Sequence, residues 1–124
     1  MLTKNKELGN VGENIARAFL LKQGFTILGS NFYTKFGEID IICSRFNKDG
    51  VEEMFFVEVK TRSDINKKIY PEDAINSVKK IRMEKAVQIY LEKNKINKIF
   101  YSFSCVAIVF NKGRVIDIKF FEKI

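Results

Sequence analysis

Two β-rich segments joined by a short turn constrain this chain more than any other feature. They run from about Glu38 to Phe46 and from Val51 to Arg62, and Asn47-Lys48-Asp49-Gly50 between them is a turn signal. Such a pair predicts an antiparallel hairpin in which paired residue numbers sum to about 98. Because both segments are rich in Ile, Val and Phe, we expect interior strands that are buried on both faces.

The remainder of the chain predicts two helices and three more strands. Apolar spacing favours one helix from about Gly9 to Gln23 and a longer one from Pro71 to about Lys93. The predicted apolar stripe of the longer helix consists of Ala74, Ile75, Val78, Ile81, Ala86, Ile89 and Tyr90. Shorter strands are expected over residues 25–28, 100–110 and 114–120. No linker or repeat divides the sequence. The element order α-β-β-β-α-β-β therefore predicts one α/β domain over residues 1–124, with helices packed on a sheet.

Composition narrows the chemistry that this chain can perform. It contains no histidine, which excludes Ser-His-Asp and Cys-His hydrolases and His-ligated zinc enzymes. The formal net charge is +7, yet residues 38–63 carry six acidic against four basic side chains. In such a protein the basic periphery attracts a polyanion, and the acidic centre can bind a divalent cation. A well-solvated, lysine-rich surface explains the same charge without any ligand.

Two carboxylates interrupt the apolar hairpin. The predicted register places Asp40 and Glu58 opposite or diagonal to each other, with Cβ atoms roughly 5–8 Å apart. Like charges repel in a poorly solvated strand, so a cation such as Mg²⁺ is expected between them unless they face solvent. Lys60 lies on the same face as Glu58 and is suited to a phosphate or an attacking water. The alternative is an ion pair of Lys60 with Asp40 or Glu58 at a strand end.

Further charged residues lie on the predicted helices. Glu13 follows Gly9-x-x-Gly12. Its negative charge either stabilises the N-terminal end of the helix dipole or completes a metal site. Lys79 and Arg82 border the apolar stripe of the second helix. They are expected either to contact phosphates across a cleft or to cover the core with their aliphatic stems.

The motifs as a set resemble the YraN family of bacterial proteins, over about residues 8–91. The matching motifs are Gly9-x-x-Gly12-Glu13-x-x-Ala16, Leu20, Gly24-Phe25, Asn31, Gly37-Glu38-Ile39-Asp40, Phe56-Val57-Glu58-Val59-Lys60-Thr61-Arg62 and Lys79-x-x-Arg82-x-x-x-Ala86. One departure is Ser102-Phe103-Ser104, where family members usually have Arg-Phe-Asp.

That family looks like a small form of the restriction-endonuclease-like, PD-(D/E)xK nuclease fold, similar to archaeal Holliday-junction resolvases. The resemblance implies a central mixed sheet flanked by helices. It also implies that Asp40, Glu58 and Lys60 stand at the positions of the metal ligands and the lysine of the nuclease motif. Glu13 matches the acidic residue that such folds often carry on the first helix.

We therefore expect a Mg²⁺-dependent nuclease, with Mn²⁺ as a substitute, that cleaves DNA by recognising structure rather than sequence. The expected metal ligands are Asp40, Glu58, the backbone carbonyl of Val59 and, additionally, Glu13. Lys60 is expected to activate water and stabilise the transition state. The expected phosphate-binding residues are Arg62, Lys79 and Arg82.

Two other classes remain open at this stage, a non-catalytic nucleic-acid-binding module that retains the nuclease fold and a protein-interaction domain. A homodimer is expected if the substrate is two-fold symmetric. No uncharged run is long enough to cross a bilayer, and the N-terminus lacks the apolar region of a secretory signal. With two cysteines only, the sequence predicts a cytoplasmic protein.

Overall fold

The computed structural model describes residues 4–63 and 76–124, and within these ranges the chain forms two helices and five strands. The helices are α1 (Lys4–Lys22) and α2 (Ser77–Lys93). The strands are β1 (Thr26–Thr34), β2 (Gly37–Phe46), β3 (Glu52–Arg62), β4 (Phe100–Asn111) and β5 (Arg114–Phe121). This element order confirms the predicted α/β architecture.

The strands form one mixed sheet in the order β1-β2-β3-β4-β5. All neighbours are antiparallel except β3 and β4, which are parallel and are connected through α2. A parallel pair requires such a crossover, because a tight turn can only reverse the chain. The β2–β3 hairpin has the predicted register, since Ile41 pairs with Val57 and Cys43 with Phe55.

The first strand is longer than the sequence indicated. We expected it to end near Gly29-Ser30-Asn31, but it continues to Thr34. A register shift between Ile27 and Gly29 inserts one extra residue, after which Ser30 pairs with Ile41. Asn31 stays within the strand although its φ is 52°, a conformation that asparagine tolerates better than most residues. The predicted end of the strand is therefore a β-bulge within a longer strand.

Each face of the sheet packs against one helix. Neighbouring residues of β3 point to opposite faces, so Phe55 and Val57 belong to the core under α1, whereas Met54 and Phe56 belong to the core under α2. Burial on both faces confirms that β2 and β3 are interior strands.

Helix α2 buries Ala86 of the predicted stripe but leaves its members Val78 and Ile81 exposed. Its buried residues are Met83, Ala86 and Val87, while Val78 and Ile81 are each 58% exposed. The stripe assigned to Val78 and Ile81 was wrong because a spacing of three fits more than one helix face, and packing selected the face of Met83. The predicted start at Pro71 lies outside the described residues, and the described helix begins after Asn76. No helix in the described ranges is long and apolar enough to cross a membrane.

Candidate functional site

Asp40 and Glu58 lie at the point where the pairing of β2 with β3 ends. The last pair is Ile41 with Val57, and the next step of that register places Asp40 opposite Glu58. There the Asp40 carboxylate takes the role of a backbone acceptor, because its Oδ2 accepts the Val59 N–H at 2.8 Å. Asp40 is 6% exposed and Glu58 is 8% exposed. Two acidic side chains thus lie at adjacent, almost fully buried positions of the sheet.

The environment of Asp40 disfavours its charged form. Burial and the negative charge of Glu58 raise the pKa of Asp40 to about 7, although the hydrogen bond from Val59 acts in the opposite direction. The more distant charges of Glu13 and Glu38 raise this pKa further. A carboxyl with this pKa gains electrostatically from any cation that reaches it.

A cation of α2 compensates the negative charge of Glu58. Its Oε1 forms an ion pair with the Lys79 ammonium group. The first turn of α2 fixes this lysine, because the Asn76 side chain caps the helix and accepts the Lys79 N–H at 2.8 Å. Glu58 therefore pairs with Lys79, and the alternative Glu58–Lys60 ion pair was wrong.

Close packing of α1 on β3 carries Glu13 to the same region. Gly12 is buried, and a Cβ atom at this position would lie 2.3 Å from the Cγ2 atom of Thr61. Only glycine therefore lets the helix approach this closely. Burial and the negative charge of Glu38 raise the pKa of Glu13, while the neighbouring Arg17 and Asn31 side chains lower it. Because α1 begins at Lys4, Glu13 lies well inside the helix, and the helix-start interpretation of this residue was wrong.

A cleft of about 380 Å³ opens beside Glu58. Its lining includes Phe36, Gly37, Glu38, Asn76, Val78, Lys79, Arg82 and Met83. Gly37 has a φ of +146°, and a Cβ atom here would lie 4.0 Å from Arg82. Arg82 is exposed, and Lys79 is partly buried at the ion pair. Both predicted cations of α2 thus face the cleft instead of only covering core surface.

The other predicted residues lie farther from the cleft lining. Asp40 does not line the cleft but lies next to Glu58 in the sheet. Lys60 is partly buried on β3, and its charge acts on the neighbouring Cys105. The Arg62 guanidinium donates to the carbonyl of Thr61 at 3.2 Å. The structure thus groups the acids with Lys79 and places Lys60 and Arg62 along the same strand.

Three residues near the site were not predicted as functional. Asn76 fixes Lys79, and the signal available for it was an N-cap residue type three positions before that lysine. Phe36 lines the cleft with the Lys35 and Lys85 ammonium groups 5.2 Å and 5.0 Å from its ring centroid. Glu38 also lines the cleft, and its alternation with Asp40 was the only sequence signal.

The donor set fits a hard divalent cation with few protein ligands. In the ranges that the structure describes, no three Asp, Glu or Cys side chains are gathered closely enough to hold a metal. The protein thus offers the Asp40 and Glu58 carboxylates and neighbouring backbone carbonyls such as that of Val59. Mg²⁺ is usually bound by one or two carboxylates, with waters and substrate phosphate completing its shell. Such a cation would stabilise the ionised form of Asp40, which burial and the charge of Glu58 disfavour.

The Ser104 position is structural in this chain. Ser104 is fully buried between strands, and its hydroxyl donates to the carbonyl of Glu122. The following C-terminal residues also bind β4, since the Ile124 N–H donates to the Phe103 carbonyl at 2.9 Å. A buried serine with a satisfied hydroxyl needs no charged partner, in contrast to the aspartate expected there.

Comparison with known proteins shows the relatives of this chain. A model of "Uncharacterised protein family UPF0102" matches residues 12–109. A UPF0102 protein of Clostridium tetani is 38% identical over 111 residues, covering 90% of this chain and 86% of the relative. A UPF0102 protein of Caldicellulosiruptor saccharolyticus is 39% identical over 114 residues, covering 91% and 92% respectively. One from Dictyoglomus thermophilum is 35% identical over 116 residues, with 91% and 92% coverage.

Proposed function

Because this chain belongs to the uncharacterised protein family UPF0102, also known as the YraN family, and holds two buried acids beside a cleft lined by Lys79 and Arg82, we propose that it is a metal-dependent nuclease acting on DNA. The observation that supports this most is the juxtaposition of Asp40 and Glu58 at the end of the β2–β3 pairing. The mixed sheet with a helix on each face is compatible with a restriction-endonuclease-like fold. A buried pair of acids destabilises the folded protein unless a cation binds between them.

In this proposal Asp40, Glu58 and the Val59 carbonyl hold a Mg²⁺ ion, and Mn²⁺ substitutes for it. Glu13 contributes electrostatically and is the candidate for an additional ligand through a metal-bound water. The bound cation supplies Lewis acidity toward a phosphodiester and lowers the pKa of a coordinated water. Asp40 loses its proton when it serves as a ligand, which links metal affinity to pH.

The cationic side chains complete the proposed site. Lys60 lies two residues after Glu58 on the same strand, where its ammonium group can orient the attacking water and stabilise negative charge on the phosphorus oxygens. Arg82 is exposed at the cleft and binds backbone phosphate. When a metal ion neutralises the Glu58 carboxylate, Lys79 leaves its ion pair with Glu58 and binds a substrate phosphate instead. Arg62 extends the phosphate contacts along β3.

Substrate selection is proposed to rest on DNA structure, such as a junction, a flap or an end. The cleft lining includes the cations Lys79 and Arg82, which suit phosphates. Among the described lining residues the one amide side chain, that of Asn76, already caps α2 by accepting the Lys79 N–H. Phosphate contacts position a protein without reading sequence, so the geometry of the backbone would decide where cleavage occurs.

Cleavage assays with matched variants test this proposal. Purified protein is incubated with branched, single-stranded and duplex DNA in Mg²⁺, Mn²⁺ or EDTA. We expect metal-dependent cleavage that falls by about 100-fold or more in Asp40→Ala, Glu58→Gln and Lys60→Ala, while DNA binding persists. Glu52→Gln is the matched control, since Glu52 lies exposed at the other end of the same strand. Equal loss in the control, or full activity in all three variants, would contradict the proposed site.

A binding-only module is the second candidate, and the Glu58–Lys79 ion pair favours it. A lysine that already neutralises Glu58 lets part of the acidic site persist without metal. Under this alternative the unmodified protein binds DNA but leaves every substrate intact in both metals. Calorimetric titration with Mn²⁺ separates the two candidates further, because the nuclease proposal requires metal binding that Asp40→Ala abolishes.

A further inference from the structure

Strand β5 is an open edge of the sheet within the described part of the chain. It is the last strand in the order, and its hydrogen-bonded neighbour is β4. The strand is eight residues long, and Val115 and Ile116 are 38% and 51% exposed. A long apolar edge is a template for another strand, and proteins usually protect it with charge or by pairing it.

The charges on β5 have a self-complementary arrangement. Asp117 and Lys119 flank Ile118, and their Oδ2 and Nζ atoms are 3.9 Å apart, so both side chains lie on the same face. Ile118 points to the opposite face and packs against the core under α1. Both charged side chains are about half exposed and available to another chain.

We propose that β5 is a homodimerisation surface, on which β5 of a second copy pairs antiparallel about a two-fold axis at Ile118. In this register each Asp117 lies opposite Lys119 of the other copy, and the two Ile118 residues face each other. The apolar pairs on either side are Ile116 with Phe120 and Val115 with Phe121. Opposite charges and apolar side chains across antiparallel strands stabilise the pairing.

Other two-fold registers are less favourable. Moving the axis by one residue places Asp117 opposite Asp117, or Lys119 opposite Lys119, and like charges directly across a sheet repel. Moving it by half a residue places a charged side chain opposite Ile118. The charges thus favour one register, because the neighbouring registers contain a repulsive or unpaired charge.

A bulge in the strand concentrates this contact around Ile118. Val109 pairs with Asp117 and Phe110 with Val115, so Ile116 is an extra, bulged residue. A bulge bends an edge strand and limits pairing beyond it. The central Asp117–Lys119 pairs therefore carry the specificity. This inference does not depend on the proposed nuclease function, since none of these residues lies in the cleft.

Charge reversal with complementation tests the proposal on the full chain. Sedimentation velocity is recorded across a concentration series for the wild type, Asp117→Lys and Lys119→Asp. We expect a concentration-dependent wild-type dimer, and an increase of roughly tenfold or more in the dimer dissociation constant of each variant, because each places two like-charged pairs in the interface. Asp49→Lys and Lys48→Asp in the exposed β2–β3 turn are the matched controls and should dimerise like the wild type.

Mixing the two variants gives the discriminating result. One variant then carries only positive and the other only negative charges at these two positions, so the equimolar mixture should dimerise although each variant alone does not. The Asp117→Lys/Lys119→Asp double variant should also dimerise. A monomeric wild type at all concentrations, a dimer unaffected by either reversal, or a mixture that stays monomeric would each overturn the proposal.

Oxidative cross-linking provides a second measurement of the register. In the proposed pairing the Ile118 Cβ atoms of the two copies lie about 4.5–5.5 Å apart, within reach of a disulfide after small adjustments. Ile118→Cys should form a covalent dimer under mild oxidation. Ile116→Cys should not, because Ile116 faces Phe120. The native Cys43 and Cys105 are buried and do not interfere. Efficient cross-linking of the Ile116 variant in place of the Ile118 variant would overturn the register.

Discussion

At the scale of single residues, the site is defined by an acid that the fold makes costly to ionise. Asp40 is buried, lies next to a second carboxylate and has its pKa raised to about 7. A carboxyl that holds its proton more tightly in the folded than in the unfolded state destabilises the fold once the pH exceeds its unfolded pKa. This cost grows as the pH rises from about 4 to 7.

Replacing Asp40 tests this cost directly. In EDTA, the stability of the wild type should decrease between pH 5 and pH 8, and Asp40→Asn should be more stable than the wild type at pH 8 by about 1–3 kcal/mol. The chain has no histidine, so few other groups titrate in this interval. Denaturant unfolding followed by circular dichroism at four pH values measures the effect. Asp49→Asn, at an exposed turn, is the control, and a wild type that gains stability toward pH 8 would disprove the assignment.

Lys79 forms an ion pair with Glu58, so in the proposed metal site it would compete with the metal ion for this carboxylate. Replacing it with methionine leaves Glu58 free for the cation, so Mn²⁺ affinity should rise about three- to tenfold while the metal-free protein loses roughly 1 kcal/mol of stability. Calorimetric titration measures the affinity. Lys80→Met is the matched control, because Lys80 lies on the same helix and its ammonium group is 6.0 Å from the Phe103 ring centroid. Weaker Mn²⁺ binding in Lys79→Met would show that the lysine supports the metal site instead.

At the scale of elements, the contact of α1 with β3 determines where Glu13 lies. A methyl group at Gly12 would meet the Thr61 Cγ2 atom, so Gly12→Ala should destabilise the protein by about 2 kcal/mol. Thr61→Ser removes that methyl group and should restore most of the loss in the double variant. Gly9→Ala, on the same helix with no atom within 4 Å, should be neutral or stabilising. Thermal unfolding of the four variants measures the coupling, and additive effects would disprove the steric contact.

How much of this could be predicted from sequence depends on the range of each interaction. The hairpin register followed from a local turn, so the meeting of Asp40 with Glu58 was predictable. The Glu58–Lys79 ion pair joins residues from two elements in different layers, and no local pattern encodes it. Apolar spacing predicted that α2 is a helix and that Ala86 is on its buried face, but it also assigned Val78 and Ile81 to that face. Val78 fitted the period equally well, and the packing of Met83 on the sheet decided the rotation.

At the scale of the whole molecule, the proposed DNA binding should depend on the salt concentration, because a basic chain surrounds the acidic site. The net charge is +7, and the acidic residues around Asp40 are flanked by cations of α2 and of the β1–β2 turn. A polyanion held by these cations releases counterions when it binds, so its affinity must fall as the salt concentration rises.

The number of phosphate contacts can be counted from that salt dependence. In Ca²⁺, which is used here to allow binding with slow cleavage, log K against log [salt] should have a slope of about −3 to −4 if Lys79, Arg82 and one or two neighbouring lysines each contact a phosphate. Arg82→Ala should reduce the magnitude of the slope by about 1. Lys48→Ala, at the opposite end of the β2–β3 hairpin from Asp40 and Glu58, should leave it unchanged. Fluorescence anisotropy with a labelled branched DNA measures each slope. A flat dependence would mean that the positive charge serves solubility, and an equal loss in both variants would mean that DNA contacts the whole basic surface and not the cleft.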